Sequence, residues 1–232
     1  MAGDGNAGPL CVYCGESADT KDHVPPRSWF PKPRPADLIT VPACEDCNAS
    51  KSNDEDDVRT MLTMARPPGE TAHPAAIKIW NTKASRMVKR NKHRVNDFYR
   101  KAGRRDVYKG DIYVETAAAF QPDFDKIERV FGNIVRGLNY HEHGTILPNT
   151  YDVLVRVSPR QGDVSEEVVG ALRNLEQCVR GGGIMRYLHF HPSDREDVSF
   201  WGLQFYDNPD QEAIALTAKK DEIRSIKGSQ RA

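Results

Sequence analysis

The sequence predicts an α+β protein in three consecutive parts. These are a small metal-stapled module at residues 10–66, a long basic amphipathic helix at 74–105, and a mixed α+β region with antiparallel strands at 106–220. Two Cys-x-x-Cys pairs, Cys11/Cys14 and Cys44/Cys47, enclose one polar stretch. From Ile77 to Phe98 apolar residues recur at three- and four-residue steps, the signature of a helix with one buried stripe. Beyond residue 150, short alternating stretches follow one another with few helices between them, and such strands pair antiparallel.

A chain of 232 residues with 38% hydrophobic and 28% charged content suits a soluble globular protein of one or two domains. It has no apolar run of the roughly 18 residues a membrane span needs. The N-terminal MAGDGNAGPL lacks the basic flank and apolar run of a signal peptide. Four of the five cysteines sit in tight pairs and Cys178 stands alone, which favours metal binding in a reducing cytoplasm over a disulfide framework. The formal net charge is zero, but its distribution is uneven. Lys78 to Arg105 carries eleven Lys/Arg against Asp97, and Glu45 to Asp57 carries six acids against Lys51.

Taken in order, residues 1–9 are Gly/Ala-rich and expected to lack order. Ser52 and Glu55 have capping-box spacing, and Val58, Met61, Leu62 and Ala65 continue as a helix that Arg66-Pro67-Pro68-Gly69 ends. The long helix, about 75–102, turns Ile77, Trp80, Ala84, Met87, Val88, Val95 and Phe98 inward and its cations outward. Lys89, Arg90 and Arg94 are candidates for phosphate contact along that face; the alternative is a merely solvated face. A strand is expected over 106–116, a helix over 124–138, a strand over 151–157 and a helix over 163–180 stopped by Gly181-Gly182-Gly183. Three further strands are expected at 184–191, 199–207 and 213–218, and the last dozen residues are expected to fray. Trp29 and Phe30 read as packing residues, and Cys178 as a small core residue on its helix.

Zinc takes four thiolates tetrahedrally, and a Cys-x-x-Cys turn presents two from one knuckle. The pairs are separated by 29 residues, room for a functional loop. All four positions are filled by protein, so the metal is expected to be structural, and losing a ligand is expected to unfold the module. Inside the bracket stand Asp22-His23, with Asn48 directly after the second pair. A histidine titrating near neutrality can serve as general base, while a carboxylate and a carboxamide are hard oxygen ligands suited to Mg²⁺ or Mn²⁺. Phosphodiester hydrolysis needs both.

The segment resembles the HNH endonucleases, in their bacterial, zinc-stapled ββα-metal form. Asp22-His23-Val24-Pro25 matches the end of that family's first strand. Cys44-Glu45-Asp46-Cys47-Asn48-Ala49-Ser50-Lys51 matches its second Cys-x-x-Cys element. The resemblance covers about a quarter of the chain. It implies that His23 is the general base and that Asp22 and Asn48 hold the divalent ion. It also places Asp37 where the family has an Asn that orients the histidine, a departure. Lys51 is a candidate for phosphate contact, against the plainer reading of a solvated helix start.

The implied function is a metal-dependent endonuclease acting on DNA, with RNA as the alternative substrate and zinc plus Mg²⁺ or Mn²⁺ as cofactors. Family analogy adds defence against foreign DNA, and a homodimer or regulatory partner through the C-terminal region. The rival from another class is a non-catalytic zinc-stabilised nucleic-acid-binding or sensor protein. His141 with His143, and His189 with His191, could each ligate a metal, though such pairs are more often ordinary surface or packed histidines.

Overall fold

The computed structural model describes residues 8–64, 72–84, 86, 89, 102–109, 111–120, 122–157, 170–172, 174–195, 197–208 and 212–229. It is a mixed α+β structure whose described sheets are all antiparallel. Strands β1 (Thr20–Val24) and β2 (Ile39–Ala43) form a hairpin, with Asp22 opposite Val41 and His23 opposite Thr40. Helices α1 (Glu45–Ser50) and α2 (Ser52–Met64) follow almost without a break. The expected capping box is not made: the Ser52 hydroxyl donates back to the Ala49 carbonyl at 3.0 Å, because the chain arrives at Ser52 already helical.

Of the expected long basic helix, the described residues show the start. It starts as α3 (Pro74–Ile79), capped by His73 Nδ1 accepting from the Ala75 N–H at 3.2 Å, then widens into a π-helical turn at Trp80–Ala84. Ala76 and Ile79 are buried while Ile77 is 41% exposed, so the inward stripe is rotated from the one the periodicity predicts. Lys78, Arg86 and Lys89 are exposed. Arg90, Arg94 and most of the expected helix lie outside the described residues. The helix cannot extend to 102, since β3 (Ala102–Lys109) begins there and pairs with β4 (Ile112–Phe120). The single strand expected over 106–116 is therefore a hairpin.

Helix α4 (Phe124–His143) is the organising element. Asp123 caps it, accepting from the Lys126 N–H at 3.2 Å, and Ile127, Val130, Phe131, Ile134, Val135 and Leu138 form its buried stripe. It packs against β1, β2 and α2 on one side and against β5 (Tyr151–Val157) on the other. The acids noted in the sequence find partners here: Lys126 reaches Asp57 at 2.5 Å, and Arg129 reaches Asp54 at 2.9 Å. A five-stranded sheet in the order β5-β9-β8-β7-β6 completes the fold, with β6 at Cys178–Arg180, β7 at Met185–Phe190, β8 at Ser199–Phe205 and β9 at Ala213–Lys219.

The helix expected over 163–180 does not reach its end. Gly170–Leu172 is helical, but Cys178–Arg180 is an edge strand with Val179 exposed, and residues 158–169 lie outside the described set. Cys178 packs against the core from that strand. The three glycines turn the chain from β6 into β7 rather than stopping a helix. Gly181 has φ +65°, and a Cβ there would lie 2.1 Å from Phe30 Cε1, so both conformation and space require glycine. Fraying is not seen over the described part of the C-terminal stretch: Lys220–Ser229 forms helix α5, which buries Ile223 with Leu154, Val198 and Ala218 on the sheet's outer face, and residues 230–232 lie outside the described set.

The inner face of that sheet shares one core with the N-terminal hairpin. Trp29 is its node. Its ring meets Phe205 edge-on at 5.1 Å and Phe131 at 6.3 Å, its indole N–H donates to the Glu55 carbonyl at 3.2 Å, and its own carbonyl accepts from the Tyr206 hydroxyl at 2.8 Å. Trp29 and Phe30 are thus core residues, as expected. Among the described residues no helix is long and apolar enough to cross a membrane.

Candidate functional site

The four paired cysteines converge. Cys11 sits in the first knuckle, where the Gly15 N–H bonds back to its carbonyl at 2.8 Å; Cys44 caps α1 through its sulfur, which accepts from the Cys47 N–H at 3.4 Å. The four ligand atoms lie within 4.8 Å of one another. A tetrahedral zinc with Zn–S near 2.3 Å spaces its sulfurs about 3.8 Å apart. Cys14 Sγ and Cys44 Sγ are 3.7 Å apart. Burial alone would raise the Cys11 thiol, but backbone hydrogen bonds, led by that of Cys44, bring it down to about 7. Cys47 moves up, through burial beside the other sulfurs. Four adjacent sulfurs cannot all ionise without a cation among them, and this cluster can hold a zinc ion.

The knuckle also aims Tyr13. Its hydroxyl donates to Asp22 Oδ2 at 2.6 Å, and Lys51 makes an ion pair with the same oxygen while its ammonium lies 3.7 Å from the centre of the Tyr13 ring. Alternation along β1 turns Asp22 inward, where only 7% of it is exposed, and leaves His23 half-buried on the other side. Burial together with that carboxylate pushes the Tyr13 phenol up, so it stays a donor. Asn48 stands on α1, and its carboxamide N–H₂ donates to Thr20 Oγ1 at 3.4 Å and to the Lys21 carbonyl at 3.5 Å, tying the helix to β1.

Asp22, His23 and Asn48 line one open cleft of about 280 Å³, together with Arg27 and Glu55. His23 is held below its ordinary value by burial and then by Arg27 and Arg34, against the opposing pull of Asp22. Near neutral pH its imidazole therefore carries a lone pair. Glu55 goes the other way, pushed up to about 7 by burial despite Lys51 at 3.8 Å. Comparison with protein-family models finds no match, and neither the curated proteins nor the solved structures provide one.

Asp37 lies elsewhere. Its carboxylate accepts the backbone N–H of Gly181 at 2.9 Å, and it does not line the cleft. Lys51 is buried against Asp22 and Glu55, with its side chain only 9% exposed, rather than extended toward solvent. Sequence reasoning missed Tyr13, Arg27, Arg34 and Glu55. Tyr13 was visible as the aromatic residue inside the first Cys-x-x-Cys, and Arg27 as the cation just past the His-Val-Pro-Pro run. Nothing local marked Arg34, and Glu55 was read only as a capping residue.

Proposed function

We propose that the chain is a metal-dependent endonuclease of the HNH, ββα-metal kind that hydrolyses phosphodiester bonds in DNA. The convergence of Asp22, His23 and Asn48 in one cleft, braced by the cysteine cluster, is the observation that carries this reading. The residues fit a hard divalent ion. Both described bonds to Asp22 fall on Oδ2, and Asn48 spends its N–H₂ on β1, so Asp22 Oδ1 and Asn48 Oδ1 are left as oxygen donors. A Mg²⁺ or Mn²⁺ ion held there supplies positive charge to the scissile phosphate and its leaving oxygen.

The chain's own groups do the rest. Neutral His23 takes a proton from the attacking water as that water closes on phosphorus. Arg27 in the cleft, with Arg34 close enough to depress the same imidazole, offers guanidinium charge to the phosphate oxygens. Two nitrogens of Arg34, Nε and Nη1, are buried without a hydrogen-bond partner among the described residues, capacity that an anion would use. Tyr13 and Lys51 fix the carboxylate of Asp22 from the side of the cysteine knuckle.

The Lys51–Asp22 ion pair favours a second reading, a zinc-stabilised nucleic-acid-binding protein without turnover in which the lysine already neutralises the carboxylate. Plasmid incubation separates the two. The zinc-loaded chain is expected to nick or cut supercoiled DNA with Mg²⁺ or Mn²⁺, to stop with chelator, and to lose activity in His23→Ala. A folded chain that binds DNA or RNA but cleaves neither supports the second reading instead.

A further inference from the structure

Outside the lining of the cleft, the strand period and the helix period bring three histidines together. On β7 the residues Met185, Tyr187 and His189 share the face turned toward α4, and His191 follows two positions on. On α4 the buried stripe that includes Leu138 and Asn139 continues one turn later to Glu142 and His143. The result is that ligand nitrogens of His143, His189 and His191 all lie within 4.8 Å of one another.

The spacing suits a metal better than a chance meeting of surface imidazoles. A tetrahedral ion with metal–nitrogen bonds of about 2.0–2.1 Å separates its nitrogen ligands by roughly 3.3–3.4 Å. His143 Nε2 and His191 Nε2 are 3.3 Å apart. A hydrogen bond could also join those two, but it would leave out the third ring. His189 is locked in place by stacking on Trp201, its cross-strand partner, with centroids 4.6 Å apart. His143 meets both other imidazoles edge-on at 5.0 and 5.1 Å.

A carboxylate completes the surroundings. Glu142 Oε2 lies 3.8 Å from His189 Nε2, and its other oxygen accepts the Tyr187 hydroxyl, so its orientation is fixed. His189 Nδ1 is buried without a hydrogen-bond partner among the described residues, so the cluster has unused polar capacity.

We propose that His143, His189 and His191 form a second metal site, for Zn²⁺ or a divalent ion of similar softness, with the fourth position open to solvent and Glu142 beside it. Imidazole ligands favour such an ion over Mg²⁺, which prefers oxygen donors. His143 and His191 are exposed, so a water or an exogenous ligand can reach that position. The site is separate from the cysteine cluster, and it pins the end of α4 to the end of β7.

The test is zinc stoichiometry on the full chain. Protein stripped with a chelator, reloaded with zinc sulfate and dialysed is analysed for metal and protein content. The variant His143→Ala/His191→Ala is expected to hold one equivalent fewer than wild type, while its remaining zinc still shields the cysteine thiols from a thiol reagent. Should that variant fold poorly, His191→Gln is expected to weaken zinc binding at this site by at least about tenfold. Equal zinc content and equal affinity in wild type and folded variants would overturn the proposal.

Discussion

The carboxylate of Asp37 accepts the backbone N–H of Gly181 at 2.9 Å, joining the loop before β2 to the glycine turn between β6 and β7. That bond gives Asp37 a structural task. Asp37→Ala is expected to lower stability by about 1 kcal/mol, read from the denaturant midpoint, and to leave the cleavage rate and its pH profile nearly unchanged. A displaced pH profile would instead show that Asp37 orients His23.

The base should reveal itself in the acid limb of the rate. His23 is held low, so the neutral form persists to more acidic pH than for a free histidine. Cleavage is expected to rise with pH through a midpoint below about 6.5 and then level off. Removing a neighbouring cation in Arg27→Gln raises the imidazole, so the limb should move to higher pH. A limb that does not move with this substitution argues for another base.

Glu55 predicts the opposite trend in stability. Its carboxyl titrates near 7 in the folded chain against 4.5 for the free group, so between those values the native state holds more protons than the unfolded state. The stabilisation is complete below 4.5 and lost as pH rises through about 7. Glu55→Gln cannot ionise, and its denaturation midpoint should fall less than wild type between pH 5 and pH 8.

Gly137 on α4 faces Val24 at the end of β1, and a Cβ there would lie 2.5 Å from Val24 Cγ2. An alanine normally favours a helix by up to about 1 kcal/mol over glycine. Here the neighbour is a stiff, buried valine, and overpacking of this kind costs about 1–3 kcal/mol. Gly137→Ala is therefore expected to destabilise on balance, measurable as a lower midpoint in urea.

Zinc removal should act on the whole chain. Cys44→Ser loses both a ligand and the sulfur that caps α1. Chelation, or this substitution, is expected to abolish the native near-ultraviolet signal of Trp29 and Trp201 together, because both belong to one buried cluster. Loss of the cysteine cluster with both tryptophan signals intact would show that the two halves fold independently.

Much of the architecture was legible because its periods were clean. The stripe of α4 is buried as its period implied, and burial alternates cleanly along β8, whereas β5 buries Leu154 and Val155 from both faces. Cys178 and Val179 misled because a short apolar pair fits helix and strand periods equally; its strand state is decided by pairing with Tyr187 and Arg186, which no local pattern displays. Helix α5 was overlooked because Ile223 and Ile226 alone make a thin stripe. At the cleft, Asp22, His23 and Asn48 were legible from their place in the cysteine frame. Glu55 was not, since its environment depends on burial against Lys51 and Asp22; the histidines were flagged only as two separate pairs, since their meeting depends on two elements distant in sequence.

Trp29 takes its packing from Phe131 on α4 and Phe205 on β8. During synthesis the cysteine frame and α2 emerge before β8, which follows roughly 140 residues later. At about 5–20 residues per second that delay is on the order of ten seconds. Throughout it Trp29 has no β8 to pack against, so the nascent frame can gather metal before it can gain its final rigidity. A cleft braced in this way would gain its final rigidity only once β8 has emerged and packed against Trp29.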